Sequence, residues 1–274
     1  MGRLFLYNNL GMIKAIFSDL DGTLLTDNKE ICKSNIEAIK KVRELGIKFI
    51  ICTGRAPFGF NQYNKYIDLS DSISTNGTVV VSNNKIIKTN TMNKEDVLKI
   101  SDYALHNDLY VRIFTDKWFY RISKEYNSID KHYNDYLKAI DYDDVINIVN
   151  NEKILKMGFY APHNILEKTK KDLEQVTPFT DYVFSGNDFL DIVIKGDNKG
   201  EGIREYCKYN NIDLKDTIGI GDQENDMSML NIVGIASCPA NGVESVKKIC
   251  DYVAKNNNND GALSEIIDNY IGIR

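Results

Sequence analysis

The sequence predicts an α/β protein: a doubly wound, mostly parallel sheet interrupted by an inserted α+β segment. Three observations carry this. Short apolar runs of strand length recur, and several end in polar turns, at Asp19-Leu20-Asp21-Gly22-Thr23, Thr53-Gly54-Arg55, Asn76-Gly77 and Gly221-Asp222-Gln223-Glu224-Asn225-Asp226. Helical periodicity lies between runs, as in strand–helix–strand units with parallel strands. From about residue 85 to 189 the alternation gives way to aromatic, strand-like segments mixed with helix patterns, the order expected of an insert built on an antiparallel sheet.

The first run, Ile13-Lys14-Ala15-Ile16-Phe17-Ser18, is too short for a helix and suits a buried strand. Asp19 and Asp21 leave its C-terminal end at i and i+2, on one side of an extended chain. Carboxylates held that close repel unless a proton or cation sits between them. Oxygen ligands of this kind suit Mg²⁺, which takes one or two carboxylates, waters and substrate phosphate. Gly22 permits a sharp turn, and Thr23 adds a hydroxyl and an N–H. Alone, Asp-Gly is also an ordinary turn signal, so partners elsewhere must decide. Ser34-Asn35-Ile36-Glu37 has the form of a capping box that opens a helix striped by Ile36, Ile39, Val42 and Leu45 and ended by Gly46. Residues 47–52 form a second buried strand and 71–75 a weaker one. Asn76-Gly77 can be simply a hairpin turn into residues 78–81.

In the insert, residues 93–107 read as a helix with Val97, Ile100, Ala104 and Leu105 towards one side. Strand-like segments follow at 110–114, 118–122 and 154–160, then a helix at 164–176 and a strand at 182–185. Most of the tyrosines cluster in or beside this insert. Strand propensity on a half-buried sheet face accounts for them; the alternative is a stacking or hydrogen-bonding wall over a pocket. His106, His132 and His163 share no ligand spacing and are expected at surface or satisfied positions.

The α/β pattern resumes with a strand at 191–194. Asn198-Lys199-Gly200-Glu201 opens a helix to about Asn210, capped by Asn198 and Glu201. Strands follow at 216–220, 233–236 and 251–254, with a short helix through Val243, Val246 and Ile249. Residues 255–260 read as a solvated asparagine-rich loop, and a last helix begins near Asp260-Gly261. Lys199 brings the positive charge a phosphate needs to a helix start, where anions are favoured in any case. By itself it reads more readily as a solvated lysine at a helix start, and only its place in the series of motifs overturns that.

Composition narrows the function classes. The chain has 274 residues, 43% hydrophobic and 27% charged, as in ordinary globular proteins. A net charge of −5 argues against nucleic acid or an anionic membrane as the main partner. Five scattered cysteines without a C-x-x-C pair fit reduced thiols in the cytoplasm better than a disulfide framework or zinc site; Cys32 and Cys52 are expected to pack as small hydrophobes. No apolar run reaches transmembrane length. Residues 1–11 are too short and interrupted for a signal peptide and are expected to be an N-terminal extension or upstream start, or else a strand or partner contact.

Ligands of an open parallel sheet bind at the carboxyl ends of its strands, so the turns at Asp19/Asp21, Thr53, Asn76 and Asp222/Asn225/Asp226 should converge. Carboxylates, a hydroxyl and a lysine, with no catalytic Cys or His, fit Mg²⁺-assisted phosphoryl transfer through an aspartyl-phosphate. The motifs Asp19-Leu20-Asp21-Gly22-Thr23, Thr53-Gly54-Arg55, Lys199-Gly200 and Gly221-Asp222-Gln223-Glu224-Asn225-Asp226, in that order, resemble those of the haloacid dehalogenase-like superfamily of phosphatases. Within it the chain is similar to the Cof-type, class IIB members. Asn76-Gly77 and the position of the insert agree, and the resemblance spans residue 13 to about 270.

The resemblance implies a catalytic core at residues 12–84 and 190–274, with a cap that sets leaving-group specificity at 85–189. It implies Asp19 as nucleophile and Mg²⁺ ligand, Asp21 as general acid–base and main-chain metal ligand, and Asp222 completing the metal site with Asp226 in support. Thr53, Gly54 and Lys199 would hold the phosphoryl group, and Asn225 would reach the phosphate or Asp19. The expected substrate is a small phosphorylated metabolite, foremost a sugar phosphate, with flavin mononucleotide or pyridoxal phosphate as further options. The expected enzyme is a monomer or weak homodimer. A phosphohexomutase and a non-catalytic phosphometabolite sensor are the alternatives. Two departures stand out: Gln223, where the family usually has a small residue, and the loop Ala236-Ser237-Cys238-Pro239-Ala240-Asn241, which differs from the usual Ala-Met-Gly-Asn-Ala.

Overall fold

The computed structural model describes residues 13–122 and 137–272. The expectation for residues 1–11, and His132, lie outside them. The first part of the chain forms β1 (Ala15–Ser18), α1 (Lys33–Glu44), β2 (Lys48–Cys52), β3 (Ser72–Ser74), β4 (Val79–Ser82) and β5 (Lys85–Thr89). The middle forms α2 (Lys94–His106), β6 (Tyr110–Thr115), β7 (Phe119–Ile122), β8 (Leu137–Ile140), α3 (Tyr142–Asn151), β9 (Ile154–Tyr160), α4 (His163–Glu174), β10 (Thr180–Gly186) and β11 (Phe189–Ile194). The remainder forms α5 (Lys199–Asn210), β12 (Thr217–Ile220), α6 (Met227–Leu230), β13 (Ile235–Cys238), α7 (Glu244–Lys247), β14 (Tyr252–Val253) and α8 (Ala262–Ile271).

Among the described residues, one sheet has eight strands in the order β14-β13-β12-β1-β2-β3-β4-β5. It is parallel from β14 to β3, with an antiparallel edge made by β4 and β5. Alternation along the strands builds a core on each face. Ile16, Phe49, Ile51, Ile218 and Ile220 pack against α1 and α8. Ala15, Phe17, Ile50 and Cys52 pack against α5, α6 and α7. Phe17 is fully buried; truncating such a ring to alanine costs about 3–5 kcal/mol. The strand order reverses at β1, between β2 and β12, so Asp19 and Asp21 emerge where an open sheet forms its crevice.

The six-stranded sheet, in the order β10-β11-β9-β6-β7-β8, is antiparallel apart from the β7–β8 pair. Val111, Ile113, Met157, Leu190 and Ile192 face α2, α3 and α4 and form its core. By the period of two, Arg112, Phe114, Lys156, Gly158 and Asp191 fall on the opposite face, and these residues line the cavity shared with the first sheet.

Several sequence expectations change. The boundary drawn at 84/85 cuts off β5, which pairs with β4 in the eight-stranded sheet, and the boundary at 189/190 assigns to the core a strand, β11, that pairs with β9 and β10. Strand pairing, which local pattern cannot show, puts the crossings after Thr89 and after Ile194. Helix α1 begins one residue before Ser34, with Cys32 at its N-cap and no side-chain cap. Asn35 is instead buried, donating to the Leu24 carbonyl and accepting from the Ser264 N–H. Leu45 is 61% exposed, because a stripe of every third residue drifts about 60° per step around a helix. The asparagine-rich loop at 255–260 is not solvated throughout. Asn258 is buried and donates to the Leu25 carbonyl and Asp27, while Asn259 exchanges hydrogen bonds with Asp27, tying down the segment after the acidic turn. Helix α3 was not foreseen. The hairpin expected at Asn76-Gly77 is present: β3 and β4 pair antiparallel, with Thr75, Asn76 and Gly77 all at positive φ.

Candidate active site

Five corners at strand and helix ends build the site. Gly22, at φ +80°, lets the turn after β1 meet the loop after β12 so closely that an added Cβ would lie 2.4 Å from Asp222 Oδ2. Thr23 Oγ1 donates to Asp222 Oδ1 at 2.6 Å. At the start of α5, Asn198 caps the helix by accepting from the Glu201 N–H, and Lys199 points into the protein with no exposed surface. Its Nζ donates to Asp19 Oδ1 and to Asp226 Oδ1, both at 2.6 Å. Asp226 Oδ2 accepts the N–H groups of Asp222 and Gln223 at 2.9 and 3.0 Å. The solvated reading of Lys199 is therefore set aside.

Asp19, Asp222 and Asp226 each bring an oxygen within 4.8 Å of the others. Among the described residues Lys199 is the one cation bonded to them, so three carboxyl groups share a single positive charge. Burial foremost, then the charges of Asp226 and Asp21, push Asp19 up to about 7, with Lys199 pulling the other way. Burial, then Asp19 and Asp226, push Asp222 up to about 8. Burial opposes the charge of Lys199, but Asp19 and Asp226 outweigh it and hold the ammonium above its usual range. This is a donor set a hard divalent cation fits: carboxylate oxygens, buried and short of positive charge. Both Asp226 oxygens already accept hydrogen bonds, so Asp226 braces the lysine and the Asp222 main chain.

Over residues 16–266 the sequence matches the family of haloacid dehalogenase-like hydrolases. The chain belongs to that family. It is similar to the phosphoglycolate phosphatase of Methanobrevibacter smithii, 28% identical over 94% of this chain and 99% of that one. It is also similar to the 5-amino-6-(5-phospho-D-ribitylamino)uracil phosphatase YwtE of Bacillus subtilis, 26% identical over 91% and 95%. The fold matches that of a solved sugar phosphatase of subclass IIB with a TM-score of 0.82 at 23% identity, over 95% of this chain and all of that one. The chain is thus a haloacid dehalogenase-like phosphoric monoester hydrolase.

In this haloacid dehalogenase-like site, Thr53, Gly54, Arg55 and Asn225 line one cavity with Asp19 and Asp21, a space of about 290 Å³ between the two sheets. Thr53 accepts the Arg55 N–H, and Asn225 donates to Asn76 at 3.3 Å. No hydrogen bond of Asn225 with Asp19 is found among the described residues. The Asp21 carboxylate is clamped. Arg55 grips it with Nε and Nη2, each at 2.7 Å, and Lys29 Nζ is also 2.7 Å away. Burial opposes ionisation of Asp21, but Arg55 and then Lys29 outweigh it and hold the carboxyl well below the usual range.

Sequence reasoning brought Asp19, Asp21, Thr53, Gly54, Lys199, Asp222, Asn225 and Asp226 together, and all meet here. It assigned no role to Arg55, although that residue lies inside a motif, nor to Lys29. The inserted sheet supplies Arg112, Phe114, Lys156, Phe189 and Asp191, so among the described residues phenylalanines rather than tyrosines form the aromatic wall. The signal was a charge in the middle of an apolar strand: Arg112, Lys156 and Asp191 each interrupt one. His106 and His163 rest on the carbonyls of Asp102 and Asn187 at the surface. Gln223 has ordinary extended backbone, φ −120° and ψ 171°. The divergent 236–241 loop still grips the acidic turn, since Asn241 donates to the Gly22 carbonyl at 2.8 Å. No helix among the described residues is long and apolar enough to cross a membrane.

Proposed function

We propose that the protein hydrolyses small phosphomonoesters, foremost sugar phosphates, with Mg²⁺ and through a phosphorylated Asp19. The observation that carries this reading is Lys199 held between Asp19 and Asp226 beside Asp222, with Asp19 lining a cavity whose opposite wall is the inserted sheet. Asp19 attacks phosphorus, the ester P–O bond breaks, and the leaving oxygen takes a proton from Asp21. Water then attacks phosphorus with Asp21 accepting its proton, and phosphate leaves with Asp19 regenerated. Asp19 and Asp222, with the main-chain carbonyl of Asp21, would hold Mg²⁺, which supplies charge neutralisation between nucleophile and phosphoryl group.

The clamp on Asp21 bears on this sequence. Bound to Arg55 and Lys29, Asp21 is anionic, the form that accepts a proton from water. The first half-reaction needs it protonated, so Arg55 and Lys29 must turn from Asp21 towards the incoming phosphate. Lys199 balances Asp19 before attack and the phosphoenzyme after it.

A cavity of about 290 Å³ has room for a small leaving group beyond the phosphoryl site. Its wall is mixed, with Phe114 and Phe189 beside Arg112, Lys156 and Asp191, as suits a molecule with both polar and apolar faces. The named substrates of the relatives, phosphoglycolate and a ribitylamino-uracil phosphate, join sugar phosphates as compounds to test. Phosphate release with Mg²⁺ across these esters, nucleotides and phosphorylated vitamins should yield activity that Asp19→Asn abolishes. Bisphosphate-dependent isomerisation of a hexose phosphate with little free phosphate would instead favour a mutase, and silence on the whole panel a sensor.

A further inference from the structure

A polar seam crosses between the sheets. Lys156 sits in β9 between Leu155 and Met157, and Asp191 in β11 between Leu190 and Ile192, all four apolar neighbours fully buried. Alternation turns the two charges onto the face away from α2, α3 and α4, where they are 5% and 8% exposed. They pair at 2.8 Å. The pair reaches out of its own sheet. Lys156 Nζ donates at 2.8 Å to the carbonyl of Gly54, between Thr53 and Arg55. Asp191 Oδ2 accepts from Asn76 Nδ2 at 2.9 Å, and Asn76 Oδ1 accepts from Asn225. One ion pair of the inserted sheet thereby touches the loop after β2 and the loop after β3, and through Asn76 it reaches the loop after β12.

A buried ion pair is weak evidence for stability, because desolvation offsets the attraction. What this pair adds is orientation. Asn76, at φ 53°, and the Gly54 peptide are both held by groups that belong to the opposite sheet, so their alignment depends on how that sheet is seated.

We propose that Lys156 and Asp191 are positioning residues: they transmit the seating of the inserted sheet to the loops that hold the phosphoryl group. A leaving group large enough to engage the inserted sheet then speeds its own turnover, and a very small one does not. This rests on the phosphatase reading above.

The test compares Lys156→Met, Asp191→Asn and their double variant, with Mg²⁺, on the best ester of the phosphate screen and on acetyl phosphate, whose leaving group is too short to span the cavity. Each single variant is expected to lose kcat/KM at least about tenfold more on the larger ester than on acetyl phosphate. The double variant is expected to be no worse than the more damaged single one, as for residues acting together. Asn76→Gly, which removes the cross-sheet amide at a position where glycine accepts the backbone, should reproduce the substrate-dependent loss and keeps the question answerable if a charge variant fails to fold. Equal losses on both substrates, additive losses, or unaltered kinetics would overturn the proposal. Silence of the unaltered enzyme on every ester would remove the phosphatase reading and this role with it.

Discussion

Lys199 and Asp19, 180 positions apart in the chain, lie with Nζ and Oδ1 2.6 Å apart, and the lysine has no exposed surface. The same ammonium touches Asp226 at the same distance. Removing one member of a buried charge group strands the others. Lys199→Met should lower the unfolding free energy by about 3–5 kcal/mol and abolish phosphate release, read by denaturant titration alongside turnover. A variant as stable as the parent would mean that solvent already screens the cluster.

The raised carboxyls give a sign to the pH dependence of the cation-free protein. Asp19, at about 7, and Asp222, at about 8, keep protons that the same groups lose near 3.8 in the unfolded chain. Between those values the folded state binds more protons, so stability falls as pH rises. In chelator the melting temperature should decline from about pH 4 through about pH 8. Saturating Mg²⁺ should flatten that decline, because a ligand of the ionised folded site stabilises it by mass action. A melting temperature that climbs with pH in chelator contradicts these assignments.

Arg55 and Lys29 depress Asp21, and Arg55 does so through a two-point grip that lysine cannot reproduce. Arg55→Lys should therefore raise the Asp21 pKa and move the alkaline limb of the kcat/KM profile, which reports the protonated Asp21 that the first half-reaction needs, to higher pH. Asp21→Asn should lower kcat by about 10²–10⁴-fold, the usual weight of a general acid–base. An unmoved limb in Arg55→Lys would separate Asp21 from the titration that governs turnover.

Two glycines at similar positive φ distinguish backbone strain from close approach. At Gly46, φ +78°, an added Cβ meets nothing within 4 Å; at Gly77, φ +93°, it would lie 2.0 Å from the Asn198 carbonyl oxygen. Gly46→Ala should cost about 1–2 kcal/mol, the left-handed penalty alone. Gly77→Ala should cost more and also depress turnover, since Asn198 caps the helix that delivers Lys199. Equal costs measured by chemical denaturation would contradict this packing.

The nucleophile side of the site was legible because its residues sit in the turns that follow strands or open a helix, and the apolar runs ahead of Asp19, Thr53 and Asp222 announce those turns locally. The opposite wall was not. Arg112, Lys156 and Asp191 share a face only through the pairing of β6, β9 and β11, which is long-range information. The membership of β5 and β11 was hidden for the same reason. Asn35 and Asn258 were misread because their side chains serve contacts across the fold rather than a local cap or loop.

The central claim is that Asp19 becomes phosphorylated during turnover. Rapid acid quench in the presence of Mg²⁺ and the best substrate, followed by borohydride reduction and peptide mass spectrometry, measures it directly. Homoserine at position 19, absent without substrate, is the expected result. Full turnover with label at another residue, or with no labelled residue, would contradict it.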